Sequence, residues 1–91
     1  MHPLSTMPAP TITVLYFAAV RDLCGLHQES LELPAPPPRV RDLRALLEQR
    51  HPALQGRLHR VRFARNETFA PEDSVIEPGD TIAVIPPVGG G

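Results

Sequence analysis

The most apolar strand-like stretches of this 91-residue chain, TITVLYF at residues 11–17 and TIAVI at 81–85, lie far apart, and both alternate side chains with a strand's two-residue period. Between them only RVRDLRALLEQRH, residues 39–51, carries helical spacing, with Val40, Leu43, Leu46 and Leu47 on one face. One helix covers one face of a sheet. The pattern therefore predicts an α+β domain with a single main helix on one side. Ile12, Val14, Tyr16, Ile82 and Val84 form the helix-facing layer. Leu15, Phe17, Ala83 and Ile85, joined by Phe69, are left on an uncovered face. An exposed apolar patch of this kind marks a partner surface, unless a loop folds over it or the register is shifted by one.

The remaining segments are shorter. AAVRDLCGLH (18–27) reads as a loop or turn ended by Gly25, and QESLEL (28–33) as a weakly alternating edge strand. PAPPP (34–38) interrupts regular structure, and Pro52 stops the helix. Asp42 suits the helix's positive end, and Arg50 and His51 the other. VRFAR (61–65) and TFA (68–70) flank Asn66–Glu67 as a hairpin, and EPGD (77–80) is a turn with Pro78 and Gly79 at type II positions. Residues 1–10, with three prolines and no periodicity, read as a disordered leader, 11–85 as the domain and 86–91 as an extended tail.

Composition narrows the function. A chain of this size buries one modest core but builds no deep cleft, which favours a carrier, adaptor or subunit over a self-contained enzyme. The formal net charge of −1 argues against nucleic acid and anionic membrane as partners. The single cysteine, Cys24, points to a reducing compartment, and no apolar run is long enough to span a bilayer, so the expected location is cytoplasmic. All nine basic residues are arginine.

The sequence closes on IPPVGGG, residues 85–91. A glycine run cradles phosphate only where a helix follows. Here it is either slack or the access to a working terminal carboxylate. Pro86 has no amide proton and must leave the sheet. From there six residues reach roughly 20 Å, enough to enter a buried site in another protein.

VLYFAAVRDLCG near the start, RN-E in the middle, PGDTIAVIPPVGGG at the end and the single helix between them resemble the ubiquitin-like sulfur-carrier family, in particular the small subunits of molybdopterin synthase. The likeness covers nearly all of residues 11–91, and Pro-Pro-Val, one variable residue, then Gly-Gly is its most specific part. Gly89 departs from the Ser or Thr common at the variable place. Arg39 stands where a Ser or Thr cap is usual, so a weakly capped helix start is expected.

The resemblance implies a β-grasp fold, a mixed sheet with its first and last strands parallel and adjacent at the centre. It also implies a chemistry: a ubiquitin-activating-type enzyme uses ATP and Mg²⁺ to adenylate the Gly91 carboxylate, and a sulfur donor converts it to a thiocarboxylate. The tail then enters the large subunit of molybdopterin synthase and gives its sulfur to cyclic pyranopterin monophosphate. In that scheme Gly89 and Gly90 provide access, and Pro86, Pro87 and Val88 guide the tail. Phe17, Phe69, Ile85, Leu15 and Arg21 form the partner interface. The chain holds no cofactor or metal, is non-catalytic alone, and assembles as a hetero-tetramer of two small and two large subunits. The alternatives are a carrier for thiamin synthesis or tRNA thiolation, or a ubiquitin-like protein modifier.

Other signals read as structural. His2, His27, His51 and His59 do not pair with one another or with Cys24 at metal-ligand spacing, and Cys24 reads as a small packed residue. The basic group Arg57, His59, Arg60, Arg62 and Arg65 and the acidic group Glu67, Glu72, Asp73, Glu77 and Asp80 read as solvated faces.

Overall fold

The computed structural model describes residues 9–87. Val88, Gly89, Gly90 and Gly91, and residues 1–8 of the expected leader, lie outside the described residues. The elements are β1 (Thr11–Tyr16), α1 (Ala18–Cys24), β2 (Gln28–Glu32), α2 (Val40–Arg50), a 3-10 turn (Pro52–Leu54), β3 (Arg62–Arg65), β4 (Thr68–Phe69) and β5 (Thr81–Ile85).

The five strands form one sheet in the order β2-β1-β5-β3-β4. β1 and β5 run parallel at its centre, Val14 opposite Ile82 and Tyr16 opposite Val84. Every other pairing is antiparallel. This is the β-grasp arrangement, and it follows from the sequence: the two apolar strands take the centre, and the weakly alternating β2 takes an edge.

The helix-facing layer is as expected. Ile12, Val14, Tyr16, Ile82 and Val84 are buried with Leu31 and Phe63 against Val40, Leu43 and Leu47 of α2. Leu54, Leu58, Val61 and Ile76, from the irregular segments after α2 and before β5, fill the rest.

Two expectations need correcting. Residues 18–24 are a two-turn helix and not a loop. Val20 is buried in the core and Leu23 packs against it, while Gly25 closes the helix in the left-handed region at φ 75°, its N–H donating to the Arg21 carbonyl at 2.8 Å. Two turns are too few for the helical period to show in sequence. The start of α2 is also better satisfied than Arg39 suggests. The Asp42 carboxylate accepts the Arg39 N–H at 2.9 Å, and the Val40 and Arg41 N–H groups donate to the carbonyls of Ser74 and Glu72 at 2.9 and 3.0 Å. Backbone from a distant loop replaces the side-chain cap.

Candidate functional site

The uncovered face is open, and the register explains its shape. Leu15, Ala83, Ala64 and Phe69 stand opposite one another across β1, β5, β3 and β4, forming one row over the sheet. The two central positions are alanines and the two outer ones large, so the row is concave. Phe17 lies two residues beyond Leu15, and Ile85 two beyond Ala83. With Asn66, Glu67 and Thr81 at the opposite rim, these residues line a hollow of about 560 Å³. Phe17 is 44% and Phe69 53% exposed, high for aromatic rings in a folded domain.

The structure thus brings together Leu15, Phe17, Phe69 and Ile85. Arg21 sits on α1 outside this lining, its guanidinium 3.8 Å from the Asp22 carboxylate. Ala64 was not singled out by sequence. The alternation about the buried Phe63 places it on this face. Pro86 and Pro87 follow Ile85 with irregular backbone, so the tail departs beside the hollow.

The rim is held by a buried polar cluster. Asp80 is only 6% exposed, which overturns its reading as part of a solvated acidic face. Its carboxylate accepts from Arg65 Nε at 2.5 Å, the Glu77 N–H at 2.8 Å and Asn66 Nδ2 at 2.9 Å. Burial pushes this carboxyl up, but the three donors outweigh it and hold Asp80 below the ordinary range. Asn66 also accepts the Thr81 N–H on Oδ1 at 2.9 Å, which ties the β3–β4 turn to the start of β5. The basic group is likewise not a plain solvated face, because Arg65 serves this cluster and Arg62 stacks on Phe69.

A second cluster lies on the helix side. Glu29 accepts from Tyr16 Oη at 2.5 Å and Arg50 Nε at 2.9 Å, and its carboxylate is 2.5 Å from His51 Nε2. Burial raises the Glu29 carboxyl and these partners more than offset it, leaving it low. Burial, and then the hydrogen bond to Glu29, push the Tyr16 phenol up. Sequence reading gave His51 only a helix-end role. Its contact with Glu29 depends on β2 passing α2, which no local pattern records.

Among the described residues no group of three or more His, Cys, Asp or Glu side chains is placed to hold a metal ion, and no helix is long and apolar enough to cross a membrane. The hollow's lining is apolar with a thin polar rim, a composition suited to recognition.

Residues 14–91 match the ThiS family. The chain is 37% identical over 82 residues to the molybdopterin synthase sulfur carrier subunit of Chlamydomonas reinhardtii, covering 88% of this chain and 98% of that one. It is 36% identical over 93 residues to the human protein of the same name, covering 93% and 99%. Among solved structures, a putative molybdopterin converting factor subunit 1 from Pyrococcus furiosus superposes with a TM-score of 0.78 at 32% identity, over 88% of this chain and all of that one. SAMP1 from Haloferax volcanii gives 0.77 at 25% identity, over 89% and 99%. A chain from the complex of subunits 1 and 2 of the Helicobacter pylori molybdopterin-converting factor gives 0.63 at 23%, over 89% and 99%, a likeness of fold.

Proposed function

The chain belongs to the ThiS family, and from that membership we propose that it is a sulfur carrier, the small subunit of a molybdopterin synthase. Its reactive group is the α-carboxylate of Gly91. A ubiquitin-activating-type partner, using ATP and Mg²⁺, joins that carboxylate to AMP and releases pyrophosphate. The carboxylate is a poor electrophile, and the acyl phosphate anhydride is a good one. A sulfur nucleophile then displaces AMP and leaves a thiocarboxylate. In the large subunit the terminal sulfur is given to cyclic pyranopterin monophosphate, and water restores the carboxylate. The chain is non-catalytic alone, binds no cofactor of its own, and works in a hetero-tetramer with two large subunits.

One observation carries this reading: Ile85 belongs both to the apolar hollow and to the end of β5, immediately before Pro86. A protein that covers the hollow therefore meets the root of the tail. Phe17, Phe69, Leu15 and Ile85 supply apolar contact, while Pro86, Pro87 and Val88 guide the tail and Gly89 and Gly90 leave the carbonyl open to attack.

The test is the intact mass after incubation with the activating enzyme, ATP and sulfide. The expected result is a gain equal to one oxygen replaced by sulfur, absent when Gly91 is removed. An unchanged mass with an enzyme that thiocarboxylates another carrier refutes the proposal. A second reading, a ubiquitin-like protein modifier, draws on the likeness of fold to the small archaeal modifier protein 1 of Haloferax volcanii. It predicts covalent adducts with target-protein amines in the same mixture.

A further inference from the structure

One cation sits on the apolar face. Alternation along β3 turns Phe63 into the core and Arg62 outward with Ala64. Arg62 stands opposite Ile85, the last residue of β5. Its guanidinium carbon lies 4.3 Å above the centroid of the Phe69 ring, within cation–π range. Arg44 and Arg65 both pair with carboxylates, but Arg62 is exposed and makes no ion pair among the described residues.

This placement has two consequences. Phe69 is half exposed on a two-residue edge strand, and the guanidinium plane stacked on its ring restricts the rotamers it can adopt. The exposed guanidinium's own N–H donors, meanwhile, have no protein acceptor among the described residues and are open to solvent. A partner that covers the hollow strips that water from a cation bordered by Ile85 and Phe69, and a desolvated cation without a counter-charge is strongly unfavourable. The covering surface must therefore bring a negative group to this point.

We propose that Arg62 is a partner-selecting residue of the docking face: it orients Phe69 by stacking, and it pairs with a carboxylate that the docking protein carries beside the departure point of the tail. In naming the molybdopterin synthase large subunit as that protein, the inference rests on the function proposed above. Apolar complementarity selects weakly among hydrophobic surfaces, whereas a charge that must be matched rejects surfaces lacking an acid.

The experiment is calorimetric titration of the purified large subunit with the wild-type chain, Arg62→Leu and Arg62→Lys, each at low and at high salt. Arg62→Leu keeps apolar bulk at an exposed site, and a melt confirms that it is folded. The expected result is about tenfold or greater loss of affinity for Arg62→Leu at low salt, a flatter salt dependence, and partial recovery in Arg62→Lys, which keeps the charge without the flat stack. In the free Arg62→Leu chain the Phe69 ring resonances shift, which a charge-only role does not produce. Binding of Arg62→Leu equal to or tighter than wild type, with the same salt dependence, overturns the inference and leaves the carrier reading standing. Failure of the wild-type chain to bind the large subunit removes the reading on which both rest.

Discussion

Replacing Asp80 with Asn is expected to cost about 1–3 kcal/mol of folding stability, although the two side chains have nearly the same shape. The Asp80 carboxylate accepts three hydrogen bonds, from Arg65 Nε and the Glu77 N–H on Oδ2 and from Asn66 Nδ2 on Oδ1. An asparagine preserves the bond from Asn66 but turns an NH₂ donor toward the other two donors. The stranded Glu77 N–H costs about 1–3 kcal/mol. The Arg65 side chain is 32% exposed and recovers water, so the loss of its bond is largely offset by solvent. A domain of this length has roughly 5–12 kcal/mol in total. At about 4–8 °C per kcal/mol, the melting temperature falls by about 4–24 °C. The assay is guanidinium and thermal unfolding followed by circular dichroism at neutral pH. A loss below about 0.5 kcal/mol, the scale of a neutral surface change, would refute the claim that this carboxylate organises the start of β5.

Three further outcomes follow from the same geometry. Asp80 and Glu29 are both held below their ordinary carboxylate ranges, so the unfolded chain binds more protons than the folded one as acid is added. Their contribution is fully present above the unfolded pKa values, about 4, and is lost as pH falls through the folded values. Melting temperature should decline below about pH 5, with a shallower slope in Asp80→Asn, and a flat profile down to pH 3 would contradict this. Glu67 occupies the second position of the two-residue β3–β4 turn at φ 74°, a conformation that favours glycine. Glu67→Gly is therefore expected to stabilise by about 0.5–1 kcal/mol, measured by denaturant midpoint. Ala83→Leu should fill the concave row with stability unchanged to within about 0.5 kcal/mol. It should weaken large-subunit binding at least tenfold, and normal binding by a folded variant would show that the hollow is not where the partner docks.

Much of the fold could be read in the sequence because the signals were local. Ile12, Val14 and Tyr16 against Leu15 and Phe17 define two faces by alternation alone, and the four apolar positions of α2 define the cover. The open face followed by subtraction, and with it five of the hollow's apolar residues, Leu15, Phe17, Phe69, Ala83 and Ile85. What escaped depended on contacts between distant segments. α1 is two turns long and held by Val20 and Leu23 in the core, so its apolar spacing never completes a recognisable period. Asp80 sits among other acids in sequence, and its burial arises only because Arg65 and Asn66 of the neighbouring hairpin converge on it. The cap of α2 comes from the carbonyls of Glu72 and Ser74, some thirty residues away. Composition cannot foresee a backbone donor or acceptor supplied by another loop.

The concavity of the docking face depends on which strands carry the alanines. Had Ala64 and Ala83 been on edge strands and the bulky residues at the centre, the same composition would give a ridge, which most partner surfaces meet less completely. Placing the small side chains on β3 and β5 puts the hollow over the part of the sheet where strands are paired on both sides. β5 is bonded to β1 and to β3 up to its last residues, Val84 opposite Tyr16 and Ile85 opposite Arg62. Pro86 then ends the ladder for want of an N–H. The departure point of the tail is thus fixed relative to Phe17, Phe69 and Arg62 by backbone paired on both sides. A partner that binds the hollow receives the tail from a defined origin, so its entry becomes a step within the complex and not a second encounter. Covering the half-exposed Phe17 and Phe69 contributes on the order of 1 kcal/mol each.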